Sequence, residues 1–136
     1  MDQAVIDQKL ESLRRCVARL EARCPESAAA LAADLDAQDI VALNLTRAIQ
    51  LCVDLAAHWL AGQPDIEAPH TMGQVFVLLA GAGKLDSALA GRLRKAVGFR
   101  NIAVHNYQAV NWEIVFRLCT EQLADFRDFA AAFSAS

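Results

Sequence analysis

Glycine and proline are scarce in this chain, with six and three among 136 residues, and aromatic side chains make up only 7%. So little glycine and proline excludes a collagen-like repeat and a low-complexity disordered chain, in which these residues dominate. The hydrophobic fraction of 55% is large enough for one compact domain with a substantial core. We therefore expect residues 1–136 to form a single domain.

Metal-ligand and disulfide patterns are also missing. Cys16, Cys24, Cys52 and Cys119 are separated by 8, 28 and 67 positions, so they form neither a Cys-x-x-Cys pair nor an obvious disulfide framework. Histidines and carboxylates do not fall at metal-ligand spacing either. These absences predict free thiols in a reducing cytoplasm, no bound metal and no cofactor.

The chain has no segment typical of a signal peptide or a membrane span. Asp7, Lys9 and Glu11 lie where a signal peptide would need an apolar core. The longest uncharged run, residues 68–83, is 16 residues long and contains three glycines and a proline, so it is too short and too interrupted to cross a bilayer. The sequence therefore predicts a cytoplasmic protein that makes no membrane contact.

Alanine and leucine are abundant and supply 44 of the 136 residues. Both residues favour helices, while β-branched and aromatic residues are comparatively sparse, so the predicted fold class is all-α. Apolar residues recur at helical spacing and predict a bundle of five to six helices. The expected helices cover residues 5–24, a short alanine-rich stretch to about 35, and residues 36–61, 72–80, 87–97 and 112–133, with Gly98 interrupting the fifth.

The net charge of −3 is distributed unevenly along the chain. Residues 1–83 carry a net −5, residues 84–105 a net +4, and residues 106–136 a net −2. The acidic total argues against a broad basic surface for polyanions. A local cationic segment can still concentrate an anionic ligand. The side chains that supply the positive charge are Lys84, Arg92, Arg94, Lys95 and Arg100.

The cationic segment ends in the most distinctive stretch, residues 98–107. Arg100, Asn101, His105 and Tyr107 supply a permanent cation, an amide, an imidazole and a phenol within eight positions. On a helix Asn101 and His105 share a face, and a long arginine side chain could reach toward the imidazole, which is one way to build a phosphate site. The alternative is structural, with His105 capping the helix end and Tyr107 packing in the core.

The spacing of Arg100, His105 and Tyr107 resembles the signature of HepT-type toxins in the HEPN superfamily, in which Arg-Asn-x-x-Val-His-x-Tyr recurs. The resemblance extends over roughly residues 3–130. Further segments that match HepT landmarks in the expected order are residues 47–50, 54–58, 76–85, 98–99 and 123–126.

This resemblance implies an HEPN-like helical fold and a cytoplasmic toxin of a type II toxin–antitoxin system. Its partner would be an MNT-type nucleotidyltransferase antitoxin. The toxin itself would be a metal-independent endoribonuclease that cleaves RNA. Such toxins dimerise, which brings two copies of the motif to a shared cleft, and they can enter a larger toxin–antitoxin complex. Carried over to this chain, Arg100 and His105 are the catalytic pair, Asn101 accompanies them, and Tyr107 accepts AMP from the antitoxin.

The residue types suit RNA cleavage, which needs a proton acceptor, a proton donor and stabilisation of negative charge. A histidine imidazole exchanges protons near neutral pH, and an arginine fork matches phosphate oxygens. A dimer cleft would hold two copies of His105, one for each proton transfer. Asp54 either forms an ordinary helix-surface pair with His58 or faces Arg100 across the bundle and orients it.

Two other interpretations remain open at this point. The chain could be a non-catalytic HEPN module that binds nucleotides or the nucleotidyltransferase, or a purely structural helical dimer. Trp59 and Trp112 are expected in the core or at a dimer interface, because base stacking requires aromatic rings near the cationic segment and only Phe99 and Tyr107 lie there.

Overall fold

A computed structural model describes residues 2–134, which form seven α-helices and one 3₁₀ helix, with no strand among them. The prediction of an all-α bundle is therefore confirmed, although these residues form one helix more than the upper expected number. The helices are α1 (Gln3–Arg23), α2 (Ala28–Ala32), α3 (Leu35–Ala61), α4 (Gln74–Gly81), α5 (Ser87–His105), the 3₁₀ helix η1 (Tyr107–Ala109), α6 (Trp112–Glu121) and α7 (Leu123–Ser134).

Short polar side chains begin most of these helices. Asp34 accepts a hydrogen bond from the backbone N–H of Ala37 at 3.1 Å and thereby caps α3, so this helix starts slightly earlier than Asp36, where the sequence predicted it. Asp86 caps α5 in the same way, through the N–H of Leu89 at 3.1 Å. Such caps satisfy N–H groups that have no partner inside the helix.

The central helix is α3, which packs against α1, α4 and α5 and also touches α2, α6 and α7. Among residues 2–134 it is the one helix long and apolar enough to cross a membrane, but 56% of its most apolar 18-residue window is buried inside the protein. It is thus the core helix of the bundle. Its buried residues are Ala37, Gln38, Val41, Ala42, Asn44, Leu45, Ala48, Ile49, Cys52, Val53, Leu55, Ala56 and Leu60.

The predicted interruption of the fifth helix at Gly98 is wrong, because α5 continues through this glycine to His105. Glycine costs a helix only about 1 kcal/mol relative to alanine. Burial of neighbouring apolar side chains, including Val97 and Phe99, holds the helix in place on either side. As a result Arg100, Asn101 and His105 stand on one continuous helix.

The predicted last helix is instead two helices, α6 and α7, which separate at Gln122. After this break, Asp125 is buried and accepts hydrogen bonds from Nε of Arg92 at 3.0 and 3.1 Å. The ring of Phe129 stacks on Phe133 with centroids 4.7 Å apart. After the break at Gln122, α7 therefore supplies both a buried carboxylate that pairs with Arg92 and aromatic side chains that fill the core.

Candidate active site

Arg100, Asn101 and His105 lie in the last two turns of α5. Nη1 of Arg100 donates a hydrogen bond to Oδ1 of Asn101 at 3.1 Å. Arg100 is half-buried, whereas Asn101 and His105 are exposed to solvent. The end of α5 thus presents a guanidinium, an amide and an imidazole together at the surface.

One hydrogen-bond donor of the Arg100 guanidinium has no partner. Its Nε atom is buried and has no hydrogen-bond partner within residues 2–134. A buried donor without a partner costs about 1–3 kcal/mol. The Nε donor of Arg100 is therefore left unpaired, whereas Nη1 of the same guanidinium pairs with Asn101.

Asn106 ends α5, and its backbone N–H donates to the carbonyl of Ile102 at 2.8 Å. The chain then turns into η1, whose first residue is Tyr107. The phenolic hydroxyl of Tyr107 donates to Oδ1 of Asp39 on α3 at 2.8 Å. Tyr107 also meets Trp112 edge to face, with ring centroids 5.8 Å apart. Two contacts therefore fix the ring while 38% of the residue stays exposed.

This arrangement differs from the structural alternative considered for the motif. Tyr107 is not a core residue, and the C-cap position after His105, the last residue of α5, is taken by Asn106. Partial burial, the hydrogen bond to Asp39 and the charge of that carboxylate raise the pKa of Tyr107 well above its ordinary value. The hydroxyl is therefore protonated at neutral pH.

Comparisons with known proteins show the family of this chain. A family profile described as Ribonuclease HepT-like matches residues 13–133. The chain belongs to the HepT-like ribonuclease family. It is 34% identical to the mRNA nuclease HepT of Shewanella oneidensis over 125 residues, which are 92% of each protein. The predicted resemblance to HepT-type toxins is thus confirmed.

Solved structures of HepT-like toxins share the whole fold. A tri-AMPylated HEPN toxin of Shewanella oneidensis, solved in complex with an MNT antitoxin, is 33% identical with a TM-score of 0.90 over 100% of both chains. A toxin–antitoxin structure with AMP-PNP matches 98% of this chain and 99% of its own, at 32% identity and a TM-score of 0.89.

Two residues that sequence reasoning did not place at the site of this HepT-like chain are Asp39 and Trp112. Asp39 is 68 positions from its partner Tyr107, and nothing local in the sequence marks that contact. Trp112 lies five positions after Tyr107 and contacts its ring, and it also packs against the core, as the sequence predicted.

Asp54 does not meet Arg100, contrary to one of the two interpretations of this residue. Its carboxylate accepts a hydrogen bond from Nε2 of Gln50 at 2.9 Å and lies 3.6 Å from Nζ of Lys9. It lines a different groove, between α1 and α3, together with Arg47. The reason is that Asp54 faces α1 from α3, so orientation of Arg100 by Asp54 is not seen within residues 2–134.

The cationic segment of the HepT-like chain is only partly available to a ligand. Arg92 is paired with Asp125, and Nζ of Lys84 lies 5.7 and 5.0 Å from the ring centroids of Trp59 and Phe133. These two cations stabilise the bundle itself. The remaining positive side chains of the segment are Arg94, Lys95 and Arg100.

An apolar groove of about 420 Å³ lies beside the motif, between α5 and α6. Its lining includes Phe99, Ile102, Ile114 and Lys95. Ile102 and Ile114 are 45% and 47% exposed, and Val104 on the same helix end is 49% exposed. Several large apolar side chains therefore surround the polar residues of the motif, which is typical of a surface that is covered in an assembly.

Residues 2–134 contain no cluster of three or more histidine, cysteine, aspartate or glutamate side chains that could hold a metal ion. The four cysteines are thiols, of which Cys16, Cys52 and Cys119 are buried. Burial raises the pKa of the Cys52 thiol well above its ordinary value. The candidate site consists of Arg100, Asn101, His105 and Tyr107.

Proposed function

We propose that this HepT-like chain is a cytoplasmic toxin of a type II toxin–antitoxin pair that cleaves RNA without a metal ion. The observation that carries the proposal is that the end of α5 brings together the half-buried Arg100 and the exposed Asn101 and His105. Similarity over 92% of the chain to a protein named as an mRNA nuclease supports RNA as the substrate.

His105 and Arg100 divide the chemistry between them. RNA carries its own nucleophile, the 2′-hydroxyl, so the enzyme must remove that proton, stabilise charge on the phosphorane-like transition state and protonate the leaving 5′-oxygen. The exposed imidazole of His105 performs proton transfer, and Arg100 binds the phosphate oxygens. Asn101 accepts the hydrogen bond from Nη1 that orients the guanidinium. No cofactor takes part.

Two copies of this chain form the active dimer in our proposal. One chain supplies a single His105, whereas cleavage needs one proton acceptor and one proton donor. The exposed apolar side chains of Ile102, Val104 and Ile114 flank the motif and suit contact with a second copy. A cleft between the two copies would then hold two imidazoles and two guanidinium groups.

The antitoxin is an MNT-type nucleotidyltransferase that attaches AMP to Tyr107. A tri-AMPylated toxin in complex with an MNT antitoxin supports this part of the proposal, because it is similar over the whole chain. AMP would place a phosphodiester anion two positions from His105 and repel the phosphates of RNA. The modification therefore silences the toxin by charge and bulk.

An RNA cleavage assay in excess EDTA tests the proposal. It compares the wild type with the Arg100→Ala and His105→Ala variants. We expect the wild type to cut and each variant to lose about a hundredfold or more in rate, the usual size of a general acid–base contribution for His105 and of electrostatic stabilisation for Arg100. Arg23→Ala is the control, since it removes an exposed arginine that lies outside the cationic segment.

The same experiment separates the other two interpretations. Wild-type protein that binds its antitoxin without cutting RNA would support a binding module. Loss of folding in both variants, seen by circular dichroism, would support a structural role. Cutting that stops in EDTA would contradict the metal-independent mechanism.

A further inference from the structure

Tyr107 and Asp39 form a pair that RNA cleavage does not require. The proposed function names Tyr107 as the AMP acceptor, and the following inference rests on it. We propose that Asp39 is the catalytic base of this modification, so the toxin itself supplies the group that removes the phenolic proton while the antitoxin supplies the nucleotide.

The geometry of the pair suits this role. Oη of Tyr107 and Oδ1 of Asp39 are 2.8 Å apart, within the distance that a general base needs. The single phenolic proton is directed at the carboxylate, which leaves the lone pairs of Oη free to attack. The edge-to-face contact with Trp112 limits rotation of the ring. Both residues are exposed, so a nucleotide carried by a partner can reach them.

The step balances with a nucleoside triphosphate as co-reactant. Oη attacks the α-phosphorus, and the new O–P bond forms as the bond to the leaving pyrophosphate breaks. The phenolic proton passes to Oδ1 of Asp39, and the pyrophosphate leaves with the electron pair. Because Asp39 is exposed, it returns the proton to solvent afterwards.

The state of the free hydroxyl explains why a base is needed. Partial burial and the neighbouring carboxylate raise the pKa of Tyr107, so almost no phenolate exists at neutral pH. The proton must therefore leave during the attack rather than before it. Asp39 is the one hydrogen-bond acceptor for this hydroxyl within residues 2–134.

Modification also removes the contact that joins η1 to α3. The esterified oxygen has no proton to donate, so the hydrogen bond to Asp39 is lost. A phosphodiester anion then lies beside the carboxylate, and the two negative charges repel each other. Attachment of AMP thus releases the end of the motif from the central helix.

A labelling assay on the full chain tests this assignment. The purified antitoxin transfers AMP to the chain from ATP that carries ³²P in its α-phosphate. We expect Asp39→Asn to slow labelling about a hundredfold at pH 7, the lower end of general-base effects. Asp36→Asn is the matched control, because this exposed carboxylate lies on the same helix and has no contact with Tyr107. Asp39→Glu keeps a carboxylate and is expected to retain more activity than Asp39→Asn.

The pH dependence distinguishes a base from a residue that only positions the ring. Without the carboxylate the pKa of Tyr107 falls toward its ordinary value, and phenolate forms as the pH rises. The rate ratio of wild type to Asp39→Asn should therefore shrink between pH 7 and about 9.5, near the ordinary titration range of a phenol. A constant ratio, or labelling of Asp39→Asn at the wild-type rate, would overturn the inference.

The Tyr107→Phe variant shows which assignment is wrong, the AMP site at Tyr107 or the role of Asp39 as base. If wild type and Tyr107→Phe are labelled equally, the acceptor is another residue, and both the AMP site and the role of Asp39 are wrong. If Tyr107→Phe takes no label and Asp39→Asn is labelled as fast as the wild type, only the role of Asp39 is wrong.

Discussion

Arg100, a catalytic residue in our proposal, carries a polar group that lowers the stability of the fold. Its Nε atom is buried without a hydrogen-bond partner within residues 2–134, which costs about 1–3 kcal/mol. Natural proteins keep such groups where binding needs them. The stem of the side chain packs as an apolar group, so the unfavourable part is the guanidinium head.

Replacement of Arg100 by Met should therefore raise the free energy of unfolding while it abolishes RNA cleavage. Met keeps a long apolar stem and has no donor to bury, so we expect a gain of about 1 kcal/mol in urea denaturation. Arg94→Met, at an exposed position of the same helix, should give no comparable gain. A lower free energy of unfolding in Arg100→Met would show that the guanidinium stabilises the fold.

Residues close in sequence were the predictable part of the site. Asn101 and His105 are four positions apart, so helical geometry alone places them on one face. The contact between Asp39 and Tyr107 spans 68 positions and depends on how η1 packs against α3. The predicted contact between Asp54 and Arg100 is wrong for the same reason. The partner of Asp54 depends on which neighbouring helix its side of α3 packs against.

At the scale of the element, α5 tolerates two exposed glycines, Gly91 and Gly98, in its interior. A Cβ atom added at either position meets no other atom within 4 Å. Gly91→Ala should therefore raise the free energy of unfolding by about 0.5–1 kcal/mol, because alanine has less backbone entropy to lose. Urea denaturation measures the change.

Gly98→Ala is the matched comparison for this prediction. It should give a similar gain, since α5 is continuous through this position. A loss at Gly98 beside a gain at Gly91 would instead indicate that α5 is interrupted there.

Helix ends with local signals were predictable, whereas the break at Gln122 was not. α3 ends at Ala61 and α5 begins at Ser87, as the sequence predicted, with Gly62 and Asp86 at the two cap positions. No glycine or proline marks Gln122, and the break is stabilised by a distant contact, the pairing of Asp125 with Arg92. Tertiary contacts of this kind override local propensity.

The whole molecule has a net charge of −3, yet residues 84–105 form a cationic segment with a net charge of +4. In the structure, fewer of these cations are available to a ligand than the net charge indicates. Arg92 and Lys84 are occupied by Asp125 and by aromatic rings. The positive charge left for RNA lies along α5, at Arg94, Lys95 and Arg100. A single chain therefore offers little positive surface, and a second copy would double it.

The proposed dimer predicts that both copies of His105 serve each cleavage. A mixed dimer with one His105→Ala chain, isolated through two different affinity tags, lacks either the proton acceptor or the proton donor. Its rate should be about a hundredfold below that of the wild-type dimer, the usual effect of losing one general acid or base. The control is a mixed dimer with one Arg23→Ala chain, which retains both imidazoles and the cationic segment and should cut at the wild-type rate. Half of the wild-type rate in the His105→Ala mixed dimer would mean that each chain cleaves with its own histidine, and the shared cleft would be wrong.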